Sequence, residues 1–196
     1  MTTDPAIPET CAVAYKEWAG VCEALADGRQ CVLLRKGGID EGPGGFRPEH
    51  GSFWLYPTHV HQAQQGLRVP TATPPSFPTD QVGLETLAVV AEVAFLDREE
   101  ILPALEGFHV WTEEAVSKRF HYRRPGVWLL TVRAFRRPEP WTVEVTPEHA
   151  GCKTWVPLDS PPPAAGLVPV LDDEEFARRM VALRAATSGA PGDMPA

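Results

Sequence analysis

The 196-residue sequence predicts an α+β protein: a small mixed sheet or partly open barrel flanked by helices. Three observations carry this. Short apolar runs of strand character are interspersed with stretches of helical spacing, and no regular βαβ alternation links them. Clusters of Pro and Gly punctuate the chain between these runs. Hydrophobic residues make up 43% and charged residues 22%, an ordinary globular composition with enough apolar material for a core.

Residues 1–10 read as a loose arm. From Ala12 to Ala26 the residues Tyr15, Trp18, Val21, Cys22 and Leu25 fall at helical spacing. Asp27-Gly28 then serves as a helix C-cap; the competing reading is a strand with Asp27-Gly28 as a hairpin turn. Cys31–Leu34 is a short strand running into Arg35-Lys36-Gly37-Gly38. Phe53–Tyr56 is a second strand, stopped by Pro57, after which Thr58 can cap a helical segment through Gln65. Leu84–Leu96 is apolar and β-leaning. Asp97 is placed to cap a short helix that contains Pro103 and that Gly107 closes. Glu113 and Glu114 suit the start of a helix ending near Tyr122. Val127–Phe135 is apolar on both faces, as a central strand is, and Trp141–Val145 and Thr154–Leu158 are further strands. Asp172 and Glu175 form an Asp version of a capping box, opening a helix with Phe176, Met180 and Leu183 on one side.

This order predicts a main globular domain over residues 12–160, with an internal boundary at 70–80 where the chain reads PTATPPSFP. A Pro-rich linker and C-terminal helix follow over 161–187, then a disordered tail over 188–196.

The net charge of −8 argues against a generic nucleic-acid coat and an anionic membrane surface. It is unevenly distributed. Between Lys118 and Arg137 there are seven basic residues and no acid, which leaves the rest of the chain 11 basic against 26 acidic residues. A local anion site is therefore compatible with the acidic body. No apolar run approaches the length of a membrane span, and the N-terminus lacks a signal-peptide pattern, so the expectation is a cytoplasmic protein without a membrane partner. Cys11, Cys22, Cys31 and Cys152 show no metal or disulfide spacing and read as reduced thiols.

Three constellations could carry chemistry. Arg35-Lys36-Gly37-Gly38 at a strand end has the cations and free backbone N–H groups of a phosphate-binding turn, or is a solvated pair before a glycine turn. Glu49, His50, His59 and His61 bracket the strand Phe53–Tyr56; the histidines could hold a divalent metal, and Glu49 or His61 could act as acid or base. The bland alternative is a set of polar loop histidines. The tract Lys118–Arg137 interleaves Arg119, Arg123 and Arg133 with Tyr122 and other rings, the ingredients of a nucleic-acid surface, or of a helix C-terminus paired to distant acids. Lys153 and Trp155 open the last strand beside Cys152, where the Trp could stack a base.

Three segments carry a resemblance: Lys16-Glu17-Trp18-Ala19, Leu33 to Ile39 (LLRKGGI), and Phe53-x-Leu55-Tyr56-Pro57-Thr58-x-x-His61-Gln62. With Gly151-Cys152-Lys153-Thr154-Trp155-Val156 they resemble an uncharacterised bacterial family whose members read LKEWA, LLRKGGI and F-x-LFPTYEHQ. The resemblance covers about residues 12–160. It implies no established activity and no cofactor, and only a leaning toward nucleic acid through restriction-modification contexts. His59-Val60 stands where that family often has Tyr-Glu, so the resemblance does not support a catalytic Glu there, whereas His61 and Gln62 match. The second half also loosely resembles PUA-type small barrels, which bind RNA or modified bases.

Three functional readings follow. The preferred one is a binding module for nucleic acid, a nucleotide or another phosphate-bearing ligand, using Arg35, Lys36, Gly37, Gly38, Tyr56, His61, Gln62, Arg119, Tyr122, Arg123, Arg133, Lys153 and Trp155. The second is a metal-dependent or His-assisted phosphodiesterase using His61 and Glu49, with His50, His59 and His61 as ligands if a metal is held. The third is a non-catalytic protein-interaction domain, which basic residues scattered and individually paired with acids would favour. The separating observation is spatial: whether Arg35 and Lys36, His61 and the 118–137 tract converge.

Overall fold

Burial on two sides decides how the chain begins. In the computed structural model, which describes residues 6–36, 45–59, 66–68, 80–149, 151 and 153–188, Val13–Trp18 forms strand β1 and only Ala19–Ala26 forms helix α1. The helix expected from residue 12 is thus half strand. Ala14 enters one apolar cluster and Tyr15 another, so the alternation that marks a half-buried strand is missing. Asp27 closes α1, its N–H bonding the Glu23 carbonyl at 2.8 Å. Gly28 follows at φ +70°, the left-handed conformation a helix C-terminus favours.

The remaining strands are β2 (Val32–Arg35), β3 (Ser52–Thr58), β4 (Gln81–Leu96), β5 (Val127–Glu144), β6 (Trp155–Pro157) and β7 (Val168–Pro169). They form one seven-stranded sheet in the order β2-β5-β4-β3-β1-β6, with β7 added to β5. β1 and β3 are parallel; the other pairings are antiparallel. Strands from both sides of residues 70–80 therefore share the sheet; residues 70–79 lie outside the described residues. No ladder joins β2 to β6 among the described residues. Side chains bridge them instead: Arg35 at the end of β2 donates to Thr154 Oγ1, immediately before β6. The result is a mixed α+β fold with a partly open barrel.

β5 corrects another expectation. Residues 127–135 and 141–145 read as two strands because Pro138 and Pro140 stand between them, and Pro cannot donate to a ladder. The structure keeps one 18-residue strand and places the prolines in an irregularity. Arg136 pairs with Thr86 and Trp141 with Leu84, so Arg137–Pro140 lie opposite the single residue Glu85. Pro57 does not stop β3, which continues to Thr58 along β1. The Thr58 hydroxyl donates to the Glu17 carbonyl at 3.1 Å, and the helical segment expected after it lies at 60–65, outside the described residues. The Pro103 segment is a 3-10 helix, Glu99–Phe108, preceded by Arg98 and not capped by Asp97.

Helix α2 (Glu113–His121) starts at Thr112, whose hydroxyl accepts the Ala115 N–H at 3.3 Å. Helix α3 (Asp173–Thr187) starts as its sequence predicts, Asp172 accepting the Glu175 N–H at 2.8 Å, with Phe176, Met180 and Leu183 buried. The larger apolar cluster packs Tyr15, Leu33, Phe53 and Leu130 against the helices. The smaller, around Trp54, Leu84, Leu87 and Phe135, includes Tyr56. No helix among the described residues is long and apolar enough to cross a membrane.

Candidate functional site

The site grows from the way α2 is fastened to the end of β2. Val116 and Phe120 bury one face of α2 in the main core. Arg119 then reaches the β2 edge, where its Nη1 donates to the Leu34 carbonyl at 3.1 Å. Its guanidinium lies over the Trp111 ring, 3.7 Å from the centroid. Trp111 meets Trp18 edge to face at 6.0 Å. Arg35 lies over Tyr15 at 5.6 Å, and Tyr15 in turn stacks on Phe53 at 4.9 Å and meets Trp155 edge-on at 5.0 Å. Residues from β1, β2, α2 and the turn before β6 thus converge where the barrel is open.

Glu17 is the acidic member of this group. It is 1% exposed, its Oε1 accepts the Trp18 N–H at 2.8 Å, and its Oε2 has no hydrogen-bond partner among the described residues. Burial lowers the Arg119 pKa from its ordinary value, the nearby Glu17 charge opposes that shift, and Arg35 adds to it. No ion pair within 4.0 Å joins Glu17 to Arg119 among the described residues. The arrangement offers two cations on aromatic faces beside a buried carboxylate with one oxygen unused. Such a site can take a ligand that is flat and carries both an anionic or carbonyl group and a hydrogen-bond donor.

Other expected site residues lie elsewhere. The Lys36 ammonium donates to the carbonyls of Phe120 (3.3 Å), Arg124 and Gly126, so its three donors fasten the end of α2 and are not available to a phosphate. Burial and the neighbouring Arg124 lower its pKa. Tyr56 faces the smaller core with Lys16 and His149, on the opposite side of the sheet from Glu17. Arg133 is buried against Phe135 and Phe176 and pairs with Asp173. Tyr122, Arg123 and Lys153 are exposed, Arg123 lying over the Tyr122 ring at 5.2 Å. Gly37, Gly38, His61 and Gln62 lie outside the described residues, as does Cys152.

The basic tract does not form one surface. Lys118 pairs with Glu114 at 2.6 Å, and Arg136 with Glu85 at 3.2 Å and Asp27 at 3.8 Å. Arg119 alone of the tract joins Arg35. His50 and His59 likewise lie apart. His50 packs edge-on against Trp155, and Glu49 is exposed beside it. His59 lies beyond the far end of β3, in a cleft with Cys22, Glu23 and Glu85. Seven extended residues separate these ends by roughly 20 Å, too far for one metal ion. Among the described residues no three His, Cys, Asp or Glu side chains are grouped to hold a metal. Cys11, Cys22 and Cys31 are buried and free, and burial pushes the Cys22 and Cys31 thiols up.

A second cleft of 380 Å³ lies between the 3-10 helix and α2. Its lining includes Glu99, Glu100, Glu106, Glu113 and His109. Its acidic character is opposite to that of an anion site. The residues that sequence reasoning missed are Tyr15, Glu17, Trp18, Trp111 and Thr154. The one available signal was Glu17, a carboxylate set between Lys16 and Trp18 in an otherwise apolar run.

Fold and site define a partly open α+β barrel with an internal arginine–aromatic cluster at its seam. The chain belongs to the family described as "Domain of unknown function (DUF1802)", whose match covers residues 14–182. No protein of curated function matches it. Among solved structures it is similar to ASCH from Zymomonas mobilis, at 14% identity over 87% of this chain and 94% of that one, with a TM-score of 0.42. A serine-to-alanine mutant of that protein gives 14% identity over 90% and 99%, with a TM-score of 0.43. At these values the likeness adds nothing to the strand order described above.

Proposed function

We propose that this protein is a binding module for a nucleotide or a nucleic acid, with the ligand held at the barrel seam by Arg35 and Arg119. The observation that carries this reading is the convergence of two arginines, distant in sequence, onto aromatic faces beside the opening between β2 and β6. Arginine is a forked donor suited to phosphate or carbonyl oxygens, and the half-buried Trp18 and Trp155 supply ring surface for a base. In this reading the exposed Tyr122 and Arg123 extend the contact along a bound strand.

The test is a titration of nucleoside monophosphates and short labelled oligonucleotides at low salt, where such contacts are strongest. Wild type is expected to bind, and Arg119→Met to bind at least about tenfold more weakly, on the scale of a charge-assisted hydrogen bond. Absence of binding by every nucleotide and oligonucleotide overturns the reading. The protein-interaction alternative then takes its place, since Lys118, Arg133 and Arg136 are already matched by acids.

A further inference from the structure

From Glu17, held to Trp18, and Arg119, lying on the Trp111 ring that Trp18 meets edge-on, we infer that this site reads the edge of a nucleobase, specifically one with a ring N–H beside a carbonyl oxygen, as in guanine and uracil. The inference rests on the reading of the seam as a nucleotide site, and it names what that site selects. A bare phosphate needs only the arginines. It gives no role to a buried carboxylate, which would repel it.

Glu17 is fixed by its surroundings. Oε1 is held by the Trp18 N–H at 2.8 Å, and the Glu17 carbonyl is taken by Thr58 Oγ1 at 3.1 Å. That leaves Oε2 buried and without a partner among the described residues, at 1% exposure of the residue. A buried acceptor without a donor is costly, and here it lies beside the arginine cluster at the seam. A carboxylate oxygen can only accept; the group it lacks is an N–H or O–H donor.

Arg119 states the complementary requirement. It donates to the Leu34 carbonyl at 3.1 Å and lies on Trp111, and it makes no ion pair with Glu17. A guanidinium can only donate, and a carbonyl oxygen with two lone pairs suits its fork. A ligand that satisfies both residues presents a donor to Glu17 and an oxygen acceptor to Arg119. The ring N–H and adjacent C=O of guanine or uracil do this with one planar group, and the half-buried Trp18, edge-on to Trp111, offers ring surface against which it can lie.

Affinities of the full chain for guanosine, uridine, adenosine and cytidine monophosphates and for ribose 5-phosphate, read by calorimetry and tryptophan quenching, test this. Guanosine or uridine monophosphate is expected to bind at least about tenfold more tightly than ribose 5-phosphate and than the adenosine and cytidine nucleotides, the scale of one hydrogen bond to a charged group. Methylation of the ring N–H, in the N1-methylguanosine or N3-methyluridine nucleotide, is expected to remove that advantage on unaltered protein, so the result does not depend on a variant that folds. Glu17→Gln is expected to narrow, by a similar factor, the preference for the guanosine and uridine nucleotides over ribose 5-phosphate. Ribose 5-phosphate binding as tightly as the nucleotides, equal binding of the adenosine or cytidine nucleotide, or indifference to ring methylation overturns the inference while the arginine site stands. Failure of every phosphate-bearing ligand to bind overturns both.

Discussion

His109 shows how one buried side chain couples stability to the site. Its Nδ1 accepts the Trp111 N–H at 3.2 Å, and Trp111 is the ring on which Arg119 lies. Burial, reinforced by the Arg68 charge, lowers the imidazole pKa from 6.5 to about 4. The unfolded chain takes up this proton as pH falls through 6.5, whereas the folded chain does so only near 4. Between those values the unfolded state binds more protons, so the contribution is intact above the upper value and is lost as pH falls through the lower one. The loss is on the order of 3 kcal/mol at 1.36 kcal/mol per unit. Urea unfolding of wild type should therefore weaken between neutral pH and about pH 4, whereas His109→Gln, which cannot titrate, should show a flatter acid limb. Parallel acid limbs for the two proteins would assign the pH dependence to other groups.

Elements differ in how far their sequences disclose them. The start of α3 is legible because Asp172, Glu175 and the Phe176–Met180–Leu183 stripe are all local signals. β1 is not, because burial on both faces removes its period, and the unity of β5 is hidden because Pro138 and Pro140 imitate a break. The candidate site was legible in part. Arg35 stands out beside its glycines and Arg119 in its acid-free tract, whereas Glu17 and Trp111 acquire meaning only when β1 and α2 are brought together. Lys36 is the converse case: in sequence a phosphate ligand, in the fold a fastener between β2 and α2. Lys36→Met leaves the Phe120, Arg124 and Gly126 carbonyls without that donor. It should cost about 1–3 kcal/mol. Amide hydrogen exchange should quicken over residues 120–127 and remain slow in α3; equal acceleration in both would contradict a local role.

For the molecule as a whole, the distribution of charge limits how a polyanion can be held. The chain carries −8 overall, and four cations of the 118–137 tract are already engaged with other groups: Lys118 with Glu114, Arg133 with Asp173, Arg136 with Glu85 and Asp27, and Arg137 with the Glu139 carbonyl at 2.9 Å. A single strand at the seam meets Arg35 and Arg119, whereas a strand laid along an unbroken basic face would meet seven cations. Counterion release separates these cases, since the logarithm of the binding constant falls with the logarithm of salt concentration by about 0.7 per phosphate neutralised on a single strand. With Arg119 on the base and Arg35 on a phosphate, one phosphate contact gives a slope of about −0.7, whereas seven give a slope of about −5. Labelled single-stranded RNA titrated from about 25 to about 200 mM salt is expected to follow the shallow line. Arg119→Met should weaken binding at every salt concentration with little change of slope, and Lys118→Met should leave the slope unchanged, because the ion pair with Glu114 already occupies that charge. A steep slope that Lys118→Met also reduces would show that the acid partners release their cations to the ligand, and the contact surface would then extend along α2 beyond the seam.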